Sequence, residues 1–329
     1  MPFRRLECTV YRNEVVLSLL SSIVRGMGRS LRMFEPNTVY FITSRTAYGR
    51  LFMTPTPAVN AAIGGILAHA IRRHDVKVYN FVFLSNHFHM LLSGKPAAIA
   101  TFMKYLCGNI ATKVSALLDL QGPFWSHRYS AQAVLDDDAV IDRMRYIFQH
   151  GVKEGLVDSH IAWPGIKALP QLLGDAAPAY AWPVLAKQNI KVVSPELLVP
   201  TPIVLTSYVV ATPSVDHPDH TAQIRKLAGE AQQEARLSRD GSPWLGLAAI
   251  LNQDPKAEPI KPNLKPRPLC HTTLSELYHG FRQTYRDFVA AYREATAALY
   301  RGDFSIPFPA YAFPPAMRFG GALSEPQLC

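Results

Sequence analysis

The stretch SNHFHMLL places His87 and His89 two residues apart in an otherwise apolar run. If that run is a strand, alternate side chains share a face about 6.5–7 Å apart. Both imidazoles then project together while Phe88 turns to the other side. Two convergent imidazoles can hold a divalent metal when a third ligand arrives from elsewhere. Further on, RYIFQH carries Tyr146, Gln149 and His150 at i, i+3 and i+4, one face of a helix. A helix laid over the sheet would offer a phenol and a third ligand to the histidine pair. The same spacings also admit core histidines, and a tyrosine followed by a histidine that faces the helix dipole. The elements that carry these residues therefore matter.

Those elements read clearly from Thr38 onward. TVYFITSR (38–45) is β-branched and aromatic, hence a strand. Residues 57–74 open on a proline suited to a first helical turn and carry Ile63, Ile66, Leu67 and Ile71 at helical spacing. VKVYNFVFL (76–84) is a second strand, and HFHMLLS (87–93) continues it or pairs with it. Residues 96–120 form an amphipathic helix with Phe102, Leu106, Ile110, Val114 and Leu117 as its stripe. After the turn GPFW, YSAQAVL (129–135) is a short strand. Asp136, Asp137 and Asp138 then cap and charge-match a helix over 139–150. The order β-α-β-β-α-β-α predicts an α+β fold, a ferredoxin-like (split βαβ) antiparallel sheet with helices on one face. Residues 161–218 are proline-rich and lack periodicity. Helices are expected over 219–238 and about 273–301, the latter with Leu274, Leu277, Tyr278, Phe281, Tyr285, Phe288, Tyr292 and Leu299 as apolar positions. A Pro/Lys segment (254–268) and a proline- and aromatic-rich tail complete a helical and proline-rich C-terminal extension.

The chain of 329 residues is long enough to bury a real core. Lys and Arg number 34 against 25 Asp and Glu, a formal charge of +9, which favours a polyanionic partner. The first 50 residues hold eight arginines (Arg4, Arg5, Arg12, Arg25, Arg29, Arg32, Arg45, Arg50) against Glu7, Glu14 and Glu35, more than half of that excess. The four cysteines are widely spaced with no C-x-x-C pair, which argues against a zinc knuckle or a disulfide framework and fits a reducing, cytoplasmic setting. No apolar run approaches the roughly 18 residues a membrane span needs. VVLSLLSSIV (15–24) is a poor leader, because RGMGRS follows where small cleavage-site residues belong.

Residues 38–166 resemble the REP-associated tyrosine transposases and their relatives, the HUH-type single-strand DNA transposases with one catalytic tyrosine. The matching stretches, in order, are VYFITSRTAYGRLF, VFLSNHFHMLL, GPFWSHRYSAQAVLDDDAVIDRMRYI, GVKEGLV and WPG. The resemblance implies that His87 and His89 are metal ligands and that Tyr146 is the nucleophile. His150 falls where relatives place Gln or Asn as a further ligand: the familiar Tyr-Ile-x-x-Asn-Pro-Val reads Tyr-Ile-Phe-Gln-His-Gly-Val here. The ion implied is Mg2+ or Mn2+. The layout LCH…YR…GD…FP…FPP is similar to extensions in one branch of these relatives, without an assigned role.

What the resemblance implies is chemically coherent. A phosphodiester repels a nucleophile until a cation offsets its charge, and tyrosine, with a reference pKa of about 10, needs a base or a metal field to attack near neutrality. Attack by Tyr146 would leave a 5′-phosphotyrosine and a free 3′-hydroxyl, an exchange that rejoining can reverse. Arg45, Arg128, Arg145 and Lys153 are phosphate-contact candidates, and Trp125 a surface on which an unpaired base could stack. The leading expectation is a metal-dependent nicking and strand-transfer enzyme acting on single-stranded or hairpin DNA, with no membrane partner and with a homodimer admitted. The alternative is a domesticated hairpin-binding protein that no longer cleaves. A zinc hydrolase built on His87, His89 and His150 is disfavoured because no glutamate stands near them as a base. Domains are expected at 34–166 (catalytic) and 167–329 (extension). Residues 1–33 read as an extension or an upstream mis-assigned start, whose removal up to residue 32 should barely change cleavage.

Overall fold

A computed structural model describes residues 31–184, 194–208, 220–259 and 268–315. The arginine-rich start, including VVLSLLSSIV, and most of the Pro/Lys segment lie outside the described residues. The described residues within Phe34–Thr284 form one compact unit, and residues 31–33 and 285–315 belong to a second.

The first unit is built on a sheet of order β2-β3-β1-β4-β7. β1 (Val39–Arg45), β2 (Val76–Phe83), β3 (His87–Gly94) and β4 (Ser130–Val134) pair antiparallel throughout, the expected split βαβ arrangement. The short strand β7 (Cys270–His271) adds to β4 in parallel. A two-residue ladder, β5 (Ala179–Tyr180) with β6 (Thr201–Pro202), lies apart from the sheet.

Helix α1 (Pro57–Arg73) begins where Thr56 accepts a hydrogen bond from Val59 N and Pro57 fits the first turn. Gly64 and Gly65 leave room on it for β5 and the residue that follows: a Cβ at Gly64 would sit 2.7 Å from the Tyr180 ring, and one at Gly65 2.0 Å from the Ala181 carbonyl oxygen. Helix α2 (Pro96–Leu118) buries Phe102, Leu106, Ile110 and Val114 completely. Leu117, expected in that stripe, is instead 41% exposed, and its neighbour Leu118 packs against the core. α1 and α2 pack side by side on one face of the sheet, as expected for the split βαβ halves.

Helix α3 (Asp137–Gln149) takes the opposite face, which corrects the expectation of helices on one face alone. The registers fix this. Arg45, Thr43 and Phe41 lie beside His87, His89 and Leu91 on one face, and Tyr146 of α3 meets His89 there. Phe88 points the other way, against Trp125, whose indole N–H donates to Cys107 O of α2 at 2.9 Å.

Beyond residue 166 the chain continues to build the same compact unit. Helix α4 (His220–Leu237) packs Ile224, Ala228, Ala231 and Ala235 inward and lies against α3. Both sides of the sheet are covered. Phe83 N donates to Ile166 O (2.8 Å), Ala168 N to Phe81 O (3.0 Å) and Thr206 N to Val78 O (2.8 Å) along β2. At the other side β7 lies on β4, and Gln132 Nε2 donates to Pro268 O at 2.6 Å.

Helix α5 (Ser275–Tyr300) has its expected apolar stripe only partly covered: Phe288 is buried, whereas Leu274, Leu277 and Tyr278 stay exposed. In the second unit the proline-rich segment folds along this helix, with Tyr292 Oη donating to Phe313 O at 2.9 Å and the Tyr292 ring edge-on to Phe308.

Asp136 joins two distant parts of the first unit. Its carboxylate caps α3 through Ala139 N (2.8 Å) and accepts from Thr272 Oγ1 (2.5 Å), Thr273 N (2.9 Å) and Thr273 Oγ1 (3.0 Å). Burial alone would raise its pKa, but these hydrogen bonds outweigh burial and hold it below the usual value. Asp136→Ala should cost about 1–2 kcal/mol and lower the melting temperature by several degrees. A depressed folded-state pKa adds stability above the unfolded value of about 3.9 and loses it as pH falls through the folded value. The gap between wild type and Asp136→Asn in thermal unfolding should therefore close only under more acidic conditions.

Candidate metal centre

β3 supplies His87 and His89 through the alternation of a strand, and α3 supplies Tyr146 from the layer above. His150 is the residue that ends α3: its extended backbone (φ −64°, ψ 145°) turns the chain as the helix stops. The ring centroids of His87 and His89 are 5.0 Å apart, those of His89 and His150 4.5 Å and those of His87 and His150 5.4 Å. One ligand nitrogen from each lies within 4.8 Å of the others.

Each histidine is oriented from behind. His87 Nδ1 contacts Asn86 Oδ1 at 2.6 Å, His89 Nδ1 contacts Thr43 Oγ1 at 2.9 Å, and His150 Nδ1 contacts Glu154 Oε1 at 2.8 Å. An oxygen on Nδ1 leaves Nε2 as the nitrogen free to coordinate, which is how metal-binding imidazoles are held. Burial is the largest influence on all three, lowering His87 to about 3 and bringing His89 and His150 below their ordinary value. They are neutral near pH 7, the state a ligand needs. The donor set fits a divalent cation.

Tyr146 stands edge-on to His150 (4.8 Å) and to His89 (5.3 Å). Lys153 Nζ lies 3.4 Å from the centre of its ring, and the Arg143 guanidinium 5.1 Å from it. Burial raises the phenol's pKa and the charge of Glu154 adds to that, while Arg143 opposes both. Burial also lowers Lys153 to about 8, and its Nζ is 3.4 Å from His150 Nε2.

The sequence candidates thus meet different fates. His87, His89, His150 and Tyr146 come together. Arg45 shares the histidines' face, in register with His87. Arg128 is exposed on the segment that leaves the Arg45 carbonyl through Ser126 N. Arg145, expected at phosphate, is held by Glu234 (2.6 Å) and Glu230 (3.4 Å) of α4. Trp125, expected to stack on a base, is committed to the protein by its bond to Cys107 O and its packing on Phe88 and Phe124. Gln149 points to α4 as well, donating to Glu234 Oε2 at 3.1 Å. The expectation that no glutamate stands near the histidines is corrected: Glu154 touches His150. Its other oxygen accepts from Gly151 N at 2.7 Å, so it is engaged as an orienting group rather than poised as a base.

Sequence reading passed over Thr43, Asn86, Arg143 and Glu154. Arg143 could have been found, three residues before Tyr146 on the same helix. His271 of β7 also lies on this face, its ring edge-on to Phe41 at 5.5 Å, while Phe41 stacks on His89 at 5.0 Å.

Residues 39–150 match the model of the family described as "Transposase IS200 like". Among solved structures, a REP-associated tyrosine transposase bound to a REP hairpin is similar at 15% identity and a TM-score of 0.37, covering 45% of this chain and 86% of that one. A Deinococcus radiodurans R1 protein provisionally assigned as a transposase is 19% identical with a TM-score of 0.27, covering 37% of this chain and 95% of that one. No functionally curated relative matches. Among the described residues no helix is long and apolar enough to cross a membrane. The segment 39–150, which contains both strand histidines, Tyr146 and His150, is thus similar to the IS200-like transposases.

Proposed function

We propose that the chain is a metal-dependent transposase that nicks and rejoins single-stranded or hairpin DNA, with Tyr146 as nucleophile and His87, His89 and His150 as ligands to Mg2+ or Mn2+. The observation that carries this reading is the Tyr146 ring set against two of three histidines whose Nδ1 atoms each meet an oxygen partner. A divalent ion bound there supplies Lewis acidity, offsetting charge on a phosphodiester's non-bridging oxygens. Attack by the Tyr146 oxygen forms an O–P bond as the bond from phosphorus to the 3′ oxygen breaks. The products are a 5′-phosphotyrosine and a 3′-hydroxyl that takes up a proton. The reverse attack by a 3′-hydroxyl rejoins the strand. Arg143, against the Tyr146 ring, favours the phenolate and opposes burial and Glu154, which raise the phenol's pKa. Arg45 and Arg128 serve the strand's phosphates, in keeping with the +9 charge.

The alternative, a relative that binds hairpin DNA without cleaving it, drew on the departure at His150. Because His150 stacks on His89 within the triad, that departure leaves three donors in place. The test is incubation with a 3′-labelled single strand containing a hairpin, in Mg2+ or Mn2+ and with a chelator. The enzyme should transfer label to protein only with metal, on a peptide containing Tyr146, and binding should weaken steeply with salt through counterion release. Binding without label transfer in any metal would establish the non-cleaving reading.

A further inference from the structure

The three histidines differ in what stands behind them. His87 is backed by a neutral amide and His89 by a hydroxyl, whereas His150 is backed by the carboxylate of Glu154. This carboxylate is built in. Gly151 adopts φ +87°, which reverses the chain after α3 and brings Glu154 back beneath His150, and its own N–H closes the ring of contacts at 2.7 Å. A Cβ at residue 151 would meet the left-handed conformation and Val157 Cγ2 at 3.1 Å, so the turn itself requires glycine.

We infer that Glu154 is a positioning residue that makes His150 a strong third nitrogen donor, and that the centre consequently selects a late transition cation of the Co2+ or Zn2+ class over Mg2+. The inference rests on the triad being a metal centre and goes beyond the Mg2+ or Mn2+ of that reading. All three protein donors are imidazole nitrogens. Mg2+ favours oxygen donors, keeps much of its water and demands near-octahedral geometry. Imidazole sites instead follow the order in which Mn2+ is weakest and Co2+ and Zn2+ are stronger. A carboxylate that accepts the Nδ1 proton raises the basicity of Nε2 and fixes the ring's direction. It also adds a negative charge close to the cation. Lys153 Nζ lies 3.4 Å from His150 Nε2, the nitrogen turned away from Glu154.

The experiment is calorimetric titration of the DNA-free full chain with Co2+, Zn2+, Mn2+ and Mg2+, alongside thermal unfolding and the visible spectrum of the Co2+ form. The wild type should bind Co2+ and Zn2+ at least 100-fold more tightly than Mg2+, with Mn2+ between. Glu154→Gln should lose 10- to 100-fold in Co2+ and Zn2+ affinity, with Mg2+ affinity changing much less. Equal wild-type affinity for Mg2+ and Co2+, or unchanged Co2+ affinity in a folded Glu154→Gln, would overturn the inference. If Glu154→Gln does not fold, the double variant His150→Asn with Glu154→Ala carries the test. An amide oxygen in place of the backed imidazole should shift the Co2+/Mg2+ preference at least tenfold toward Mg2+, and an unshifted ratio refutes the claim. Wild type that binds no divalent cation would fail the metal-centre reading and this inference together. Mg2+ preference accompanied by label transfer to Tyr146 would leave the transposase reading standing and remove only the inference.

Discussion

Tyr146→Phe should form no covalent adduct with labelled single-stranded DNA at any metal concentration, while its DNA affinity stays within about threefold of wild type. The substitution removes one oxygen and keeps the ring. The ring is what the fold uses: it packs edge-on to His89, His150 and Phe41 and lies under Lys153 and Arg143. Melting temperature should therefore move by no more than about 1–2 °C. Denaturing gels after incubation with a 3′-labelled strand read the adduct, and fluorescence anisotropy reads the affinity. An adduct of wild-type yield would place the nucleophile on another residue.

The second large effect separates two histidines that the sequence treats alike. His87 is half-buried and its ring reaches the other two from the rim. His89 is 5% exposed and stacked between Phe41 and His150. His87→Ala should lower metal affinity by roughly 100-fold or more, since loss of a ligand exceeds the 10- to 100-fold typical of its outer partners. It should abolish adduct formation and leave thermal stability nearly unchanged. His89→Ala should lose metal and adduct equally but also destabilise the fold by about 1–3 kcal/mol, because it opens a void between two rings. Calorimetric metal titration and thermal unfolding on both variants check this. Severe unfolding of His87→Ala would favour a packing role for the pair.

Local chemistry made much of this legible in the sequence. The period-two alternation in HFHMLLS predicts which face His87 and His89 share, and one β-α-β-β-α-β-α order contains the whole antiparallel sheet. The resemblance pointed to Tyr146 and His150 before any geometry was available. Other features depend on partners far along the chain. Nothing around Arg145 announces that Glu230 and Glu234 will hold it, since those residues are more than 80 positions away. Trp125 reads as an exposed aromatic after a turn, and only the packing of α2 shows its indole N–H bonded inward. Glu154 stands four residues after His150, yet the helix has ended and the turn at Gly151 makes the contact, so helical periodicity gives no guidance. β7 is two residues long, too short for any pattern to reveal.

The covering of both sides of the sheet has a bearing on how copies of this chain could associate. An open outer strand offers a row of unspent amide and carbonyl groups onto which another molecule can extend the ladder. Here much of that opportunity is used internally: Ile166, Ala168 and Thr206 take backbone positions along β2, while β7 and Pro268 occupy β4. Where those positions are taken, a second copy would meet side chains rather than open ladder groups. Among the described residues, the chain's later half acts as a selvedge, finishing the fabric where it would otherwise be joined to another piece.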